Sequence, residues 1–119
     1  MDSHKRILHI EDDSDLRKYI LTLFEDIADI DRSDSIQLSK QLLTDRQYNL
    51  IILDMTLPDG SGMEIINFLN SNKIKLPVII LSAHDVIDNL PNVERVFLKN
   101  RHNTEDLVER VHQLLKINT

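Results

Sequence analysis

The 119-residue chain contains no cysteine and no tryptophan, and only two glycines and three prolines. Without cysteine it cannot be a disulfide scaffold, a Cys-ligated zinc or iron–sulfur protein, or an enzyme with a thiol nucleophile. A reducing compartment suits such a composition, and the cytoplasm is the expected location. No long apolar run follows Met1-Asp2-Ser3-His4-Lys5-Arg6, so neither a signal peptide nor a membrane span is expected, and a soluble protein is. Clustered basic residues are also missing. Fourteen Lys and Arg against 20 Asp and Glu leave a formal charge of −6, which argues against direct binding of nucleic acid. Two Tyr and three Phe offer few surfaces on which bases could stack. The length suits a single domain over residues 1–119, large enough to bury a core without staples.

What the chain does have is Tyr48-Asn49-Leu50-Ile51-Ile52-Leu53-Asp54, an apolar run that ends on a carboxylate. Too short for a helix and rich in Ile, it reads as a strand buried on both faces of a parallel sheet. Similar runs occur at Arg6-Ile7-Leu8-His9-Ile10, ahead of Glu11-Asp12-Asp13, and at Pro77-Val78-Ile79-Ile80-Leu81, ahead of Ser82-Ala83. A fifth strand is expected over Arg95-Val96-Phe97-Leu98-Lys99, and a weaker edge strand between Ala28 and Ser33. Between them, apolar residues recur at helical spacing: Leu16 to Ile27, Ile36 to Leu43, Met63 to Leu69, and Leu107 to Leu115. Asp13 or Ser14 is placed to cap the first of these helices, and Asp34 with Gln37 resembles a capping box for the second. Leu57-Pro58-Asp59-Gly60-Ser61-Gly62, which holds both glycines, reads as a loop. Residues 84–94 permit a short or irregular fourth helix at most, because Pro91 limits its length. The alternation predicts an α/β fold, a parallel sheet wound on both faces through right-handed crossovers.

Glu11, Asp12, Asp54, Ser82 and Lys99 are far apart in sequence, yet each falls at or just past the carboxyl end of a strand. A parallel sheet brings such ends together, and ligand chemistry collects there. Carboxylates at short range repel unless a cation lies among them, and Mg²⁺ suits a few oxygen ligands with several waters. A hydroxyl and an ammonium facing the same point suit a phosphoryl group, with Asp54 as the nucleophile.

The stretches Ile7–Asp13, Leu53–Gly62, Ile80–Ala83 and Phe97–Lys99, in this order and spacing, make the whole chain resemble a response-regulator receiver domain of two-component signalling. The resemblance implies a flavodoxin-like, doubly wound five-stranded parallel sheet of order 2-1-3-4-5. It implies that Asp54 is the phosphoacceptor. Mg²⁺ would be held by Glu11, Asp12, Asp54 and the Thr56 backbone carbonyl. Ser82, Ala83 and Lys99 would form the phosphoryl-binding and switch set. The phosphoryl donor would be a sensor histidine kinase or a histidine phosphotransfer protein, and an unidentified downstream protein would read the change in surface. Such a domain is a phosphoacceptor and not an enzyme, beyond catalysing its own phosphorylation and dephosphorylation. Thr56 and His84, each two residues past a site residue, are candidates for tuning phosphoryl lifetime.

Three departures stand out. Asn100 follows Lys99 where receivers usually have proline; Val96 replaces the usual switch aromatic; and the segment between Ser82 and Lys99 is short. These leave open a second reading, a receiver-shaped protein-binding module that no longer uses phosphate. A third, a haloacid-dehalogenase-like phosphatase, lacks the second acid those enzymes place where Thr56 stands. Blander readings exist for single residues. Asp54 alone could cap the next loop, and Ser82 the next turn; Lys99 could be a surface lysine. Asp13 and Asp15 suit a helix amino terminus, and His9 suits a core histidine better than a phosphorylated one. The remaining histidines share no metal-ligand spacing.

Overall fold

The computed structural model describes residues 4–82, 93–98 and 104–116. Five strands form one parallel sheet: Arg6–Ile10 (β1), Asp29–Ser33 (β2), Leu50–Asp54 (β3), Val78–Ser82 (β4) and Val93–Leu98 (β5). Their spatial order is β2-β1-β3-β4-β5, the doubly wound order expected. Ile7 pairs with Leu50 and Ile10 with Leu53, while Leu53 pairs in turn with Ile80. All five residues of β3 are buried, as a central parallel strand covered on both faces requires.

Side-chain alternation divides the core into two layers. Leu8, Ile10, Ile51, Leu53, Val78 and Ile80 face helices Ile36–Asp45 (α2) and Met63–Ser71 (α3), where Ile36, Leu43, Ile65, Ile66 and Leu69 meet them. Ile7, Leu50, Ile52, Ile79 and Leu81 face helices Ser14–Phe24 (α1) and Thr104–Leu115 (α4), against Ile20, Phe24, Leu107, Val111 and Leu115. His9 is fully buried in β1. Among the described residues no helix is long and apolar enough to cross a membrane.

Several boundaries differ from those read in the sequence. Helix α1 stops at Phe24, and Ile27 lies in the turn that leads to β2. Strand β3 starts at Leu50; Tyr48, outside it, packs in the core and donates its hydroxyl to Asp31 at 2.7 Å. Strand β5 begins at Val93. One extra residue is accommodated between the pairs Val78–Val93 and Ile79–Arg95. Glu94, between these pairs, has no partner in the register, as the extra residue of a β-bulge does. The segment in which a short or irregular fourth helix is expected lies outside the described residues, as do Lys99 and Asn100.

The cap of α2 is a correction. Asp34 does not cap it; Ser35 does, its side chain accepting from the Leu38 amide at 3.1 Å. A one-residue shift is what equivalent cap chemistries in adjacent positions allow. At α1 the cap is Asp13, whose Oδ1 accepts from the amides of Asp15 at 2.9 Å and Leu16 at 3.2 Å.

Candidate functional site

From β1 the chain runs outward to β2 and returns on the other side of β1 as β3, so the winding reverses between β1 and β3. A crevice opens at the carboxyl ends of two strands whose connections leave in opposite directions, and that is where open α/β sheets bind ligands. Glu11 and Asp12 follow directly on β1, and Asp54 closes β3. One ligand atom from each of the three carboxylates lies within 4.8 Å of those of the other two. Glu11 and Asp54 are buried, at 0% and 5% exposure, while Asp12 is exposed.

Local hydrogen bonds hold Glu11 and Asp54. The Glu11 amide donates to the Ser33 carbonyl at 2.8 Å, extending the β1–β2 ladder by one step. Asp54 Oδ1 accepts from the Thr56 amide at 3.2 Å, which orients the carboxylate over the start of its own loop. That loop is better ordered than its composition suggests. Thr56–Leu57 pairs antiparallel with Gly60–Ser61, so Pro58 and Asp59 are the tip of a small hairpin. Proline next to Asp and Gly is a turn signal, and here the turn closes with no slack. Gly62 returns its amide to the Met55 carbonyl at 2.9 Å before α3 begins.

Asp59, at the hairpin tip, accepts from the backbone amides of Ile36 at 2.8 Å and Gln37 at 3.1 Å. These amides, that of Ile36 foremost, hold its carboxyl below the usual carboxylate range. No sequence pattern marked this contact, because its partners are 23 and 22 residues away.

Of the remaining candidates, Ser82 is the last residue of β4 and pairs in register with Leu98 of β5. Val96 lies in β5 opposite Ile80. Ala83, His84 and Lys99 lie outside the described residues. The structure therefore brings Glu11, Asp12, Asp54 and Thr56 together, and Ser82 ends β4, the strand next to β3.

The donor set is all oxygen, with no histidine or thiol in it, and hard oxygen donors suit Mg²⁺. Three carboxylate oxygens within 4.8 Å of one another, two of them on buried residues, fit such an ion.

The model of the response regulator receiver domain family matches residues 7–112. The chain belongs to that family. Receiver domains are signalling domains of two-component systems. Among curated proteins, this receiver is 29% identical over 116 residues to the cell cycle response regulator CtrA of Brucella ovis, covering 93% of this chain and 50% of that one. It thus spans about half the length of the curated relatives it matches. Among solved structures it superposes with a TM-score of 0.85 on the signal receiver domain of a Vibrio parahaemolyticus protein described as a Luxo repressor. Identity there is 30%, over 95% of this chain and 91% of that one. The receiver domain of a Francisella response regulator gives 0.84 at 26% identity, over 95% and 98% of the two chains. TrrA of Thermotoga maritima, solved with Mg²⁺–BeF, gives 0.79 at 24% identity over 92% and 98%, a likeness of fold alone.

Proposed function

We propose that residues 1–119 form a single receiver domain that takes a phosphoryl group from a phosphohistidine donor onto Asp54 with Mg²⁺, and thereby changes its binding to a partner protein. The observation that carries this reading is the convergence of Glu11, Asp12 and Asp54 within 4.8 Å at the point where the sheet reverses its winding. A relative of the same fold, TrrA, bound to Mg²⁺–BeF, supports it.

Asp12, Asp54, the Thr56 carbonyl and Glu11 would hold the ion. Bound there, Mg²⁺ supplies positive charge that offsets the carboxylates and the oxygens of an incoming phosphoryl group. An Asp54 carboxylate oxygen attacks phosphorus; the new O–P bond forms as the N–P bond to the donor imidazole breaks, and the imidazole leaves with the electron pair and is protonated. The Thr56 amide on Oδ1 keeps the carboxylate from rotating away. Ser82, the last residue of β4, with Ala83 and Lys99, would complete the phosphoryl-binding set, Ser82 and Lys99 serving phosphoryl oxygens. Donor and target are a sensor histidine kinase or histidine phosphotransfer protein and a downstream protein, met in the cytoplasm, with no direct contact to nucleic acid or membrane. Beyond its own phosphorylation and dephosphorylation the domain is no enzyme.

Mass spectrometry after incubation with acetyl phosphate and Mg²⁺ tests this. The chain is expected to gain one phosphoryl mass, which Asp54→Asn or removal of Mg²⁺ abolishes. Absence of any gain would favour the receiver-shaped binding module. Thr56 and His84, each two residues past a site residue, would tune phosphoryl lifetime, so exchanging both for alanine is expected to change the dephosphorylation rate by more than about twofold.

A further inference from the structure

Two sets of contacts made by α2 connect the halves of the acidic pocket. The first is at the hairpin tip, where the two carboxylate oxygens of Asp59 accept from the amides of Ile36 and Gln37. A helix start leaves several amides without a partner. Ser35 satisfies that of Leu38 from within the helix's own sequence, whereas the first two are satisfied from the loop that carries Thr56. Packing repeats the connection: a Cβ on Gly60 would stand 2.9 Å from Ile36 Cδ1. The hairpin therefore lies directly against the first turn of α2.

The second set is buried. The Ser39 hydroxyl, one turn into α2, lies 2.7 Å from the Ser33 hydroxyl, and the Ser33 hydroxyl donates to the Ser35 carbonyl at 3.0 Å. Ser33 and Ser39 are 1% and 0% exposed. The carbonyl of this same Ser33 accepts the Glu11 amide. A continuous path thus runs from the loop after Asp54, through Asp59, the α2 amino terminus, Ser39 and Ser33, to Glu11.

We propose that Asp59 is a positioning residue for the pocket: it fastens the Asp54–Thr56 loop to α2, and the Ser39–Ser33 pair fastens α2 to Glu11, so the gap between the two halves is set across this helix. The inference rests on the reading of the pocket as a Mg²⁺ site. Asp59 touches no reacting group; its effect is on how well two separately anchored ligand sets meet one ion.

The test is a Mg²⁺ titration of the full chain, followed by calorimetry and by backbone amide resonances, with Ser35→Ala as the control. Ser35→Ala removes a cap from the same helix but leaves the hairpin tied. Asp59→Ala is expected to weaken Mg²⁺ binding roughly 3- to 10-fold, less than the 10- to 100-fold typical of a group that directly supports a metal ligand. Ser39→Ala is expected to weaken it in the same direction. Asp59→Asn, which keeps one accepting oxygen, is expected to recover part of the loss. Ser35→Ala is expected to lower the urea midpoint comparably to Asp59→Ala while holding Mg²⁺ affinity within about twofold of wild type. Before any metal is added, Asp59→Ala should already displace the Glu11 amide resonance, and Ser35→Ala should not. Equal affinity in Asp59→Ala and wild type, or equal losses in Asp59→Ala and Ser35→Ala, overturns the positioning role of Asp59 alone. Failure of the wild-type chain to take up Mg²⁺ overturns the reading of the pocket, and that role with it.

Discussion

At the scale of single residues, the two glycines do different work although the sequence sets them two apart. Gly60 has φ +150°, a backbone conformation that L side chains rarely adopt. Gly62 has φ −57°, which any residue accepts; what it lacks is room. A Cβ there would stand 2.7 Å from the Asp54 carbonyl oxygen and 3.0 Å from Met55 Cα, both backbone atoms that cannot swing aside. Gly62→Ala must therefore move either the end of β3 or the start of α3. The expected cost is about 1–3 kcal/mol, as for other overpacked sites, read as a lower urea midpoint with an unchanged slope. An unchanged midpoint would mean that the contact relaxes freely and that the glycine is dispensable.

At the scale of elements, β2 shows how an edge strand with little apolar content is held. Its sequence, Asp29-Ile30-Asp31-Arg32-Ser33, has one aliphatic residue, and propensity alone gives no reason for a strand. Asp31 supplies one. Its Oδ2 accepts from the Tyr48 hydroxyl at 2.7 Å and from Arg46 Nη1 at 2.9 Å, and lies 3.6 Å from Arg6 Nη1, so β2 is tied to β1 and to the segment between α2 and β3. Burial pushes the Asp31 carboxyl up, but the Tyr48 hydroxyl and the Arg46 guanidinium outweigh it and hold the group below its ordinary value of 3.8. The same burial and the same carboxylate push the Tyr48 hydroxyl well above its usual range. Because the folded carboxyl titrates below the unfolded one, its contribution is fully present above about pH 4 and is lost as pH falls through the depressed folded value. Asp31→Ala is expected to cost about 1–2 kcal/mol at pH 7, the scale of hydrogen bonds to a charged group discounted for the exposed Arg46. Urea melts of mutant and wild type should converge as pH falls below 4; a constant difference down to pH 2 would show that the carboxylate charge contributes nothing.

The contrast with β3 shows what was legible beforehand. Strands β1, β3 and β4 announce themselves as Ile- and Leu-rich runs because both their faces are covered, and the acidic ends of β1 and β3 locate the carboxylate cluster. Glu11, Asp12 and Asp54 could thus be named from strand-end position alone. Asp59, Ser33 and Ser39 could not, since each acts through a partner on another element and nothing in its neighbours marks it. Asp34 in place of Ser35 as the α2 cap is the same difficulty at one residue's range: two adjacent side chains carry equivalent chemistry, and only the backbone chooses.

At the scale of the whole molecule, a chain of net charge −6 gathers three carboxylates at one end of its sheet, two of them buried. Two like charges about 5 Å apart repel by on the order of 3 kcal/mol at an effective dielectric of about 20, enough to matter to a domain whose total stability is about 5–15 kcal/mol. Folding without metal therefore works against this cluster, and the buried apolar strands β1 and β3 hold its carboxylates at one place. This gives paired expectations for urea unfolding. Asp54→Asn, which keeps an acceptor for the Thr56 amide but removes a charge, should raise the midpoint of the metal-free protein. Mg²⁺ at a hundredfold excess over its dissociation constant should stabilise the wild type by about 2.7 kcal/mol, the increment mass action assigns to a ligand of the folded state alone. At the same Mg²⁺ concentration Asp54→Asn should gain far less, so that the order of the two proteins narrows or reverses. Were Asp54→Asn less stable than wild type without metal, and both proteins indifferent to its addition, the carboxylates would not be in electrostatic competition and would need no cation among them.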